Sequence, residues 1–426
     1  MSDLPMNTDV LVCGGGIAGT VAAVAAAREG AQTLLVERSA CLGGSATSAA
    51  VGQFVGWETR AGRQVVFGIA EEIVARVAAL GGSSGHGHFL MSTGHRMDRV
   101  AYDPELLKLA LDALTAEAGV RVLFHAVLGG VHRVGSTVAE VTVVTKAGPL
   151  AIRPRVAIDA SGDLDMMARA GARFLALAPD ERLQPATLMF RLGPIDFARF
   201  DALSSAELAA LAEQGVAAGA LARAALHCSR VPGTADGWFN VTRVEIDATD
   251  PFALSAAEAE GRRQAIAAAR YIAAAVPGCT AARLVALAPQ LGIRETRRIA
   301  GRYLLTAEDL RADRAFSDAV ACGAYPIDIH PPQGSGLRFE EFGEDQCYRI
   351  PFRALIPEAL DNALVAGRGL SATHEAHAAI RVMPTAMAVG QAAGTAAAMM
   401  AASNYSAMEL PIDGLRTRLG SAGAYL

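Results

Sequence analysis

The chain of 426 residues is 52% hydrophobic and only 19% charged, which predicts two or three domains with well-buried cores. Its formal net charge of −5 argues against a basic surface for nucleic acid or for an anionic membrane. We therefore expect a soluble protein whose ligands are small molecules.

The cysteines and the apolar stretches indicate in which cellular compartment the protein is expected. No C-x-x-C pair occurs, which predicts no metal centre and fits a reducing cytoplasm. The N-terminus lacks a basic stretch followed by a sustained apolar run, and the Ala-rich run at 386–402 is short and weakly apolar, which favours a buried helix over a membrane span. We expect a cytoplasmic monomer or homodimer. The six cysteines are Cys13, Cys41, Cys228, Cys279, Cys322 and Cys347.

The first motif is a βαβ unit within about thirty residues. An apolar run at 10–13 predicts a buried strand, Gly14-x-Gly16-x-x-Gly19 follows it, and an Ala/Val helix leads to a second strand that ends in Glu37. Gly14 allows a tight turn, Gly16 lets the backbone approach a pyrophosphate, and Gly19 lets the helix pack on the strand. This pattern predicts a dinucleotide site, the alternative being a glycine-rich turn in a structural α/β unit.

Further candidate cofactor contacts lie close to this motif. The phosphates would bind at the helix N-terminus, and the Glu37 carboxylate would accept hydrogen bonds from a ribose diol. The stretch RSACLGGSATSAA then supplies a second glycine pair and small hydroxyl residues, which let the backbone run along an extended, flat ligand. Cys41 in this stretch is either a redox-active or flavin-linked residue or a small packed one. The added candidates are Ile17, Ala18, Arg38, Gly43, Gly44 and Ser45.

The middle of the first part predicts a helix and a small meander. Asp103 is placed to cap a helix whose first residue is Pro104, and a strand follows at 120–125. Alternating stretches at 137–145 and 150–158 predict a β-meander. It ends in IDASGD, where a buried strand runs into a small-residue turn that would face a ligand.

The composition changes from about residue 173, where Ala-rich helical stretches alternate with short strands. We expect helices at 205–228 and 255–275 and strands at 186–192 and 238–246. We assign 173–344 to an inserted α+β substrate domain, with 1–172 and 345–426 forming the two parts of a cofactor domain.

The last segment contains an oddly built helix. A short buried strand at 364–366 leaves through Gly367-Arg368-Gly369, and the helix that begins near Pro384 carries Gly390 and Gly394 in an Ala-rich body. Each interior glycine costs a helix roughly 1 kcal/mol, which calls for a compensating close approach. In the alternative interpretation, Arg381 is merely solvated and Pro384 is an ordinary first-turn proline.

Several motifs together resemble the FAD-dependent oxidoreductase family of the glutathione-reductase-type superfamily. They are GGGIAG at 14–19, Glu37, LGG at 42–44, IDASGD at 158–163, GIRETRRIAGRYLLT at 292–306, LVAGR at 364–368 and RVMPTAMAVGQAAG at 381–394. The resemblance implies an α/β fold in which a Rossmann-like domain assembled from both chain ends binds extended, non-covalent FAD. An inserted domain would then cover the flavin ring.

The resemblance also implies roles for single residues. Gly14, Gly16 and Gly19 would lie on the pyrophosphate, Glu37 on the adenosine ribose and Val127 near the adenine. The helix N-terminus beside the flavin would offer about half a positive charge to the reduced ring. The further residues assigned to FAD in this way are Ala160, Gly162, Asp163, Gly367, Arg368, Met383, Pro384 and Thr385.

The candidate catalytic residues are the polar side chains that flank the flavin motifs. Arg and His near a flavin could hold a substrate carboxylate or take a proton, although some arginines of RETRR could instead pair with Glu295. A Gly/Ser/His loop with His86, His88 and His95 is more typical of an active-site cover than of a metal site. The catalytic candidates are His374, His377, Arg297 and Arg381, with Arg294 and Arg298 as further ones.

Three functions remain open from the sequence. The leading hypothesis is hydride transfer between a small organic substrate and FAD, as a dehydrogenase, oxidase or ene-type reductase. The second is an NAD(P)H-dependent flavin monooxygenase, although no second GxGxxG and no clear Asp-Gly motif of aromatic hydroxylases occur. The third is a non-catalytic FAD-fold protein that binds a protein or lipid.

Overall fold

The computed structural model describes residues 6–90, 96–331 and 338–426. The larger of its two main hydrophobic cores contains a seven-stranded sheet and the helices packed on it. The strands are β1 (Met6–Cys13), β2 (Thr33–Val36), β3 (Gln53–Phe54), β4 (Ser83–Leu90), β5 (Arg96–Tyr102), β6 (Arg121–Leu123), β7 (Val127–Val134), β8 (Thr137–Thr145), β9 (Gly148–Asp159), β10 (Phe190–Gly193), β11 (Cys228–Arg230), β12 (Gly237–Phe239), β13 (Arg283–Leu287), β14 (Ala319–Gly323), β15 (Ile327–Ile329), β16 (Arg338–Glu340), β17 (Tyr348–Pro351) and β18 (Ala363–Val365). The helices are α1 (Ile17–Arg28), α2 (Ile69–Ala79), α3 (Pro104–Glu117), α4 (Asp165–Arg169), α5 (Phe197–Phe200), α6 (Ser205–Ala217), α7 (Pro251–Ala275), α8 (Ala307–Arg311), α9 (His374–Ile380), α10 (Met383–Ser403) and α11 (Ile412–Ser421).

The main sheet has the order β6-β2-β1-β9-β8-β7. The pairs from β6 to β9 are parallel, whereas β9, β8 and β7 pair in antiparallel fashion. Strands β8 and β9 are the meander that the sequence predicts at 137–145 and 150–158, and β7 is an additional strand that it does not predict. The long strand β9 pairs with β8 along its first half and with β18, in parallel, along its last residues. This is a mixed α/β fold with a Rossmann-like parallel core.

The carboxyl ends of β1, β2, β9 and β18 meet at one edge of the sheet. Gly14, Glu37, Ala160 and Ala366 directly follow these strands, so residues far apart in the sequence face one another. Ligands of open α/β sheets bind at this edge. The chain therefore brings its glycine turn and its last strand to the same place.

Helix α10, from the C-terminal part of the chain, lies directly on helix α1 from the N-terminal part. A Cβ atom on Gly390 would stand 2.3 Å from the carbonyl oxygen of Ala18, and one on Gly394 would stand 2.0 Å from that of Ala22. The two glycines thus allow a backbone contact that no other residue permits. The packing of α1 on α10 offsets the helix stability that the two glycines cost α10. Through this contact, both ends of the chain contribute to one core.

A second, smaller core forms around the sheet β11-β12-β10-β13 and helix α7. Apart from Ala50, its buried members lie between residues 186 and 291, whereas residues 299–342 contribute to the larger core. The proposed domain limits at 173 and 344 stay a prediction. Helix α6 ends at Ala217, earlier than predicted, because Gly219 adopts a left-handed conformation with φ of 67° that closes the helix.

Within the part of the chain that the structure describes, no helix is both long and apolar enough to cross a membrane.

Candidate cofactor and substrate site

A cavity of about 300 Å³ opens at the carboxyl edge of the parallel strands and reaches the smaller core. Its volume lies within the range of small-molecule sites, roughly 300–1,000 Å³. Most of the predicted cofactor residues line it, which brings five separate stretches of sequence together. These lining residues are Gly14, Gly16, Ile17, Ala18, Glu37, Arg38, Gly43, Gly44, Ser45, Ala160, Gly162, Gly367, Arg368 and Met383.

Five predicted cofactor residues do not line the cavity. Gly19 lies inside α1, where a Cβ would come within 1.9 Å of the Gly14 carbonyl oxygen, so its role is packing. Pro384 and Thr385 are buried in the first turn of α10, and Asp163 is held by neighbouring side chains. Val127 is 51% exposed at the start of β7, and a role at the adenine stays a prediction.

The glycine turn is held in place by the acid that follows β2. One carboxylate oxygen of Glu37 accepts a hydrogen bond from the Gly15 N–H at 2.6 Å, and the other accepts from the Ser39 N–H at 2.7 Å. Gly14 adopts φ of 104°, and a Cβ there would stand 2.6 Å from the Ala160 carbonyl oxygen. Each carboxylate oxygen has a second acceptor position, so Glu37 can also receive a ribose hydroxyl.

Two helices begin at the cavity with free first-turn N–H groups. Helix α1 starts after Gly16 and α10 after Val382, and neither has a capping side chain or an acidic residue in its first turn. Every other α-helix in the described ranges has at least one of these features. The two unneutralised helix N-termini attract negative charge into the cavity.

Two arginines add positive charge at the dinucleotide end. Arg38 and Arg368 line the cavity, and a guanidinium nitrogen of Arg368 donates to Asp163 at 2.6 Å. Burial raises the pKa of the Asp163 carboxyl, but Arg368 and a hydrogen bond from Thr296 outweigh it and hold that pKa below its usual value. The Arg368 Nε is buried without a partner.

These features fit FAD. The tight turn leaves room for the backbone to approach a pyrophosphate, two helix N-termini and two arginines match its charge, and Glu37 is placed for the ribose. The fit does not depend on a covalent link, since Cys41 does not line the cavity and its Sγ lies 3.6 Å from the hydroxyl of Ser48.

At its other end the cavity meets a cluster of buried polar side chains. The Asp328 carboxylate accepts from the Tyr325 hydroxyl at 2.9 Å and lies 3.2 Å from His330 Nε2. Arg381 donates to the Asp328 carbonyl oxygen at 3.0 Å and lies 3.7 Å from its carboxylate. Arg294 donates to Thr187 Oγ1 at 2.8 Å. All six side chains belong to lining residues.

The cluster shifts the pKa values of its members. Burial raises the pKa of Asp328, but His330 and Arg381 outweigh it and hold that pKa well below its usual range. Burial and Arg294 lower the pKa of His330 to about 3, so its ring is neutral at pH 7. Burial, reinforced by Asp328, raises the pKa of Tyr325 well above its usual value. The carboxylate of Asp328 is therefore the charged acceptor of this group.

Of the four predicted catalytic residues, Arg381 alone lines the cavity. We expected His374, His377 and Arg297 to flank the flavin ring, but in the structure they pack away from the cavity. His374 Nδ1 lies 2.9 Å from Glu295, and burial lowers the pKa of the fully buried His377 to about 3. Arg297 donates to the Asp163 carbonyl oxygen at 2.9 Å. Their catalytic role stays a prediction, and their contacts are structural because α9 turns both histidines into the core.

The sequence interpretation overlooked Tyr325, Asp328 and His330. A signal for them exists in AYPIDIHP, where an aspartate stands between two isoleucines of the buried strand β15. An acid at the centre of a buried strand needs polar partners, and this marks it as a candidate site residue.

The histidine loop shows ion pairs. His86 Nε2 lies 3.0 Å from Glu71 and His88 pairs with Glu58, while His95 lies outside the described residues. Among the residues that the structure describes, no group of three or more His, Cys, Asp or Glu side chains is arranged to hold a metal ion.

Comparison with known proteins bears on the family and the fold. The sequence model of the family described as FAD dependent oxidoreductase matches residues 9–419. No curated protein matches the chain by sequence.

Several solved structures resemble the fold. A geranylgeranyl bacteriochlorophyll reductase-like protein from Thermoplasma acidophilum aligns with a TM-score of 0.54 and 15% identity over 98% of this chain and 84% of its own. The p-nitrophenol 4-monooxygenase of Pseudomonas putida aligns with a TM-score of 0.52 and 11% identity over 95% of this chain and 83% of its own. A flavin-dependent brominase aligns with a TM-score of 0.51 and 13% identity over 97% of this chain and 83% of its own. At such identities the likeness concerns the fold alone.

Proposed function

The chain belongs to the FAD-dependent oxidoreductase family, and from this premise we propose that it transfers a hydride between a small organic substrate and FAD. One observation carries the proposal: a single cavity joins the dinucleotide turn at Gly14 to the buried polar cluster around Asp328. We also propose the glutathione-reductase type of this fold, with the smaller core as the substrate-side domain.

The proposed position of FAD follows the charges of the cavity. The pyrophosphate lies at the N-terminus of α1 between Arg38 and Arg368, and the adenosine ribose lies on Glu37. The flavin ring lies against the N-terminus of α10, where Met383 lines the cavity. Bound FAD supplies the hydride acceptor or donor, and the positive end of α10 favours the charge of the reduced ring.

The protein's own part in the reaction falls to the polar cluster. Asp328 accepts a hydrogen bond from a protonated ring nitrogen of His330, which fixes the orientation of the neutral imidazole at the substrate end of the cavity. Arg381 holds Asp328 and faces the cavity, so we keep it as a substrate contact. A catalytic part for His374, His377 or Arg297 would require them to act through Glu295 or Asp163 rather than on the substrate.

The test is an anaerobic titration of the FAD-loaded protein, first with NADH and NADPH and then with carboxylic acids, amines and alcohols. Bleaching of the flavin by an organic substrate, but not by nicotinamide, supports the proposal. Protein that takes up no FAD would contradict it.

An NAD(P)H-dependent monooxygenase of a biosynthetic intermediate is the second candidate, favoured by the similarity of the fold to the p-nitrophenol 4-monooxygenase. It predicts rapid bleaching by nicotinamide in the presence of substrate, so the same titration separates the two.

A further inference from the structure

The substrate end of the cavity carries an excess of positive charge. Arg294 and Arg381 line it, and Arg223 stands close enough to lower the pKa of Arg294. Against these three guanidinium groups, the described lining residues at this end offer one carboxylate, that of Asp328. A buried cation without a counter-ion is unfavourable, so this arrangement calls for an anion.

The histidines of this region do not change the balance. Burial and Arg294 lower the pKa of His330 to about 3. Burial and Arg223 lower the pKa of His227 to about 4. Both rings are neutral at pH 7, so neither adds to the positive charge nor offsets it.

Burial and mutual repulsion lower the pKa values of these arginines. Burial, together with Arg381 and Arg223, lowers the pKa of Arg294 to about 9. Burial and Arg243 lower the pKa of Arg223 to about 10. All of these guanidinium groups remain charged at pH 7, and a bound anion would relieve their mutual repulsion.

Polar atoms without partners surround the same region. Buried polar groups in native proteins almost always have a hydrogen-bond partner, so a concentration of exceptions indicates a missing ligand. The side chain of Arg381 is 12% exposed, and Arg294 donates through a single guanidinium nitrogen to the Pro185 carbonyl oxygen and to Thr187 Oγ1. The unpartnered buried atoms are Gln53 Oε1, Gln184 Nε2, Arg223 Nε, Asn240 Oδ1, Asp328 Oδ1 and Arg381 Nε.

We propose that the substrate is an organic acid whose carboxylate binds between Arg294 and Arg381. This inference deepens the proposed function and rests on it. Guanidinium groups suit a carboxylate because their planar N–H donors match its two oxygens. Asn240 also lines the cavity, and its unpartnered side-chain oxygen is available to a second polar group of the acid. The acid would thus be fixed at one end while its reacting carbon faces the flavin.

The test uses benzoate and fumarate as probes, with benzamide as the neutral counterpart of benzoate and inorganic sulfate as a simple anion. Each is titrated into the FAD-loaded protein while the visible flavin absorption and the melting temperature are recorded. We expect a saturable spectral change and a higher melting temperature with at least one of the two carboxylates, and neither with benzamide.

Variants assign the effect to the arginines. Arg294→Gln should weaken carboxylate binding at least tenfold, with Arg294→Lys in between and Arg381→Gln as the independent second variant. Arg263→Gln is the control, since Arg263 pairs with Glu260 on the surface of α7 and should leave binding unchanged. The FAD content of each variant shows whether it has folded.

The outcomes separate the two proposals. If the protein takes up no FAD, the proposed function fails and this inference fails with it. If FAD binds but neither carboxylate has an effect, or benzamide acts as strongly as benzoate, only the organic-acid inference is overturned. The same holds if both arginine variants bind carboxylate as the wild type does, because the positive charge would then serve the flavin itself. Binding of sulfate alone would also overturn it, in favour of an inorganic or phosphate-like anion.

Discussion

At the scale of single residues, Glu37 does more than the dinucleotide motif requires of it. Both of its carboxylate oxygens accept backbone N–H groups, from Gly15 and from Ser39, and so connect the end of β2 to the glycine turn. The residue that would bind the ribose thus also shapes the turn that would receive the pyrophosphate. We therefore expect cofactor affinity and local stability to be coupled through this one side chain.

Glu37→Gln should lower both properties together. The amide keeps one acceptor oxygen and turns an N–H₂ group toward a backbone donor, which costs about 1–3 kcal/mol for an unmatched buried group. We expect a lower melting temperature without FAD and a larger dissociation constant for FAD in a binding titration. Glu308→Gln, on the exposed surface of α8, is the control. A variant with normal stability and weaker FAD binding would show that Glu37 acts on the ribose alone.

A second buried acid, Asp98, predicts a pH dependence of stability. Its carboxylate accepts from the N–H groups of Gly56 and Trp57, yet burial raises its pKa to about 6. The folded protein therefore keeps a proton that the unfolded chain releases near pH 3.8. Because the native state binds more protons between these two values, this group makes stability fall as pH rises from about 4 to 6.

Asp98→Asn removes that titration while its amide oxygen can still accept both N–H groups. Relative to the wild type, the free energy of unfolding of the variant should rise by up to about 3 kcal/mol between pH 4 and pH 7. Urea unfolding at several pH values measures this difference. Asp413→Asn, at the exposed start of α11, is the control. A constant difference between wild type and Asp98→Asn across this range would contradict the assignment.

At the scale of elements, the contact between α1 and α10 explains the glycines of the last helix. These two helices come from opposite ends of the chain, and each starts at the cavity with an uncapped N-terminus. Gly390 and Gly394 place their axes close enough for Cα atoms to touch the carbonyl groups of Ala18 and Ala22. The packing therefore fixes the two helix N-termini relative to each other, and with them the two ends of the cofactor site.

Gly394→Ala should destabilise the protein although alanine favours a helix. The new Cβ would stand 2.0 Å from the Ala22 carbonyl oxygen, and separating two packed helices costs about 1–3 kcal/mol, against a gain in helix propensity of roughly 1 kcal/mol. Gly414→Ala is the matched control: its nearest neighbours would be 3.6 and 3.9 Å from the new Cβ, so only the gain remains. The melting temperature should be lower than that of the wild type for Gly394→Ala and should not be lower for Gly414→Ala. Equal melting temperatures of Gly394→Ala and wild type would contradict the close contact.

At the scale of the whole molecule, the sequence predicts what is local and misses what the fold brings together. The βαβ unit, the Asp103 cap of α3 and the meander follow from spacing within short stretches, and all are present. The sequence neighbourhood of α10 also suggested His374 and His377 as catalytic residues. In the structure, α9 turns both histidines into the core, where His374 pairs with Glu295 from a distant segment, while β15 brings Asp328 to the cavity. Such placements depend on tertiary contacts that no short pattern encodes.

The cavity is lined by residues of both hydrophobic cores, so FAD bound there would link them. Gly14 and Gly367 belong to the larger unit, whereas Thr187 and Met189 belong to the stretch that builds the smaller one. A ligand that binds only the native state adds about 4 kcal/mol of stability at a free concentration of 1,000 times its dissociation constant. FAD that contacts both units should therefore stabilise both.

The two tryptophans allow this link to be measured. Trp57 is buried in the larger core and Trp238 in the smaller one, and the chain has no others. In Trp238→Phe the fluorescence reports on the larger core, and in Trp57→Phe on the smaller one. We expect FAD to raise the unfolding midpoint in both variants, and FMN to raise it less because it lacks the adenosine that Glu37 and Arg38 would hold. A shift confined to the Trp57 signal would mean that the cofactor binds the larger unit alone, because a ligand that contacts only one unit cannot stabilise the other unless the two unfold together.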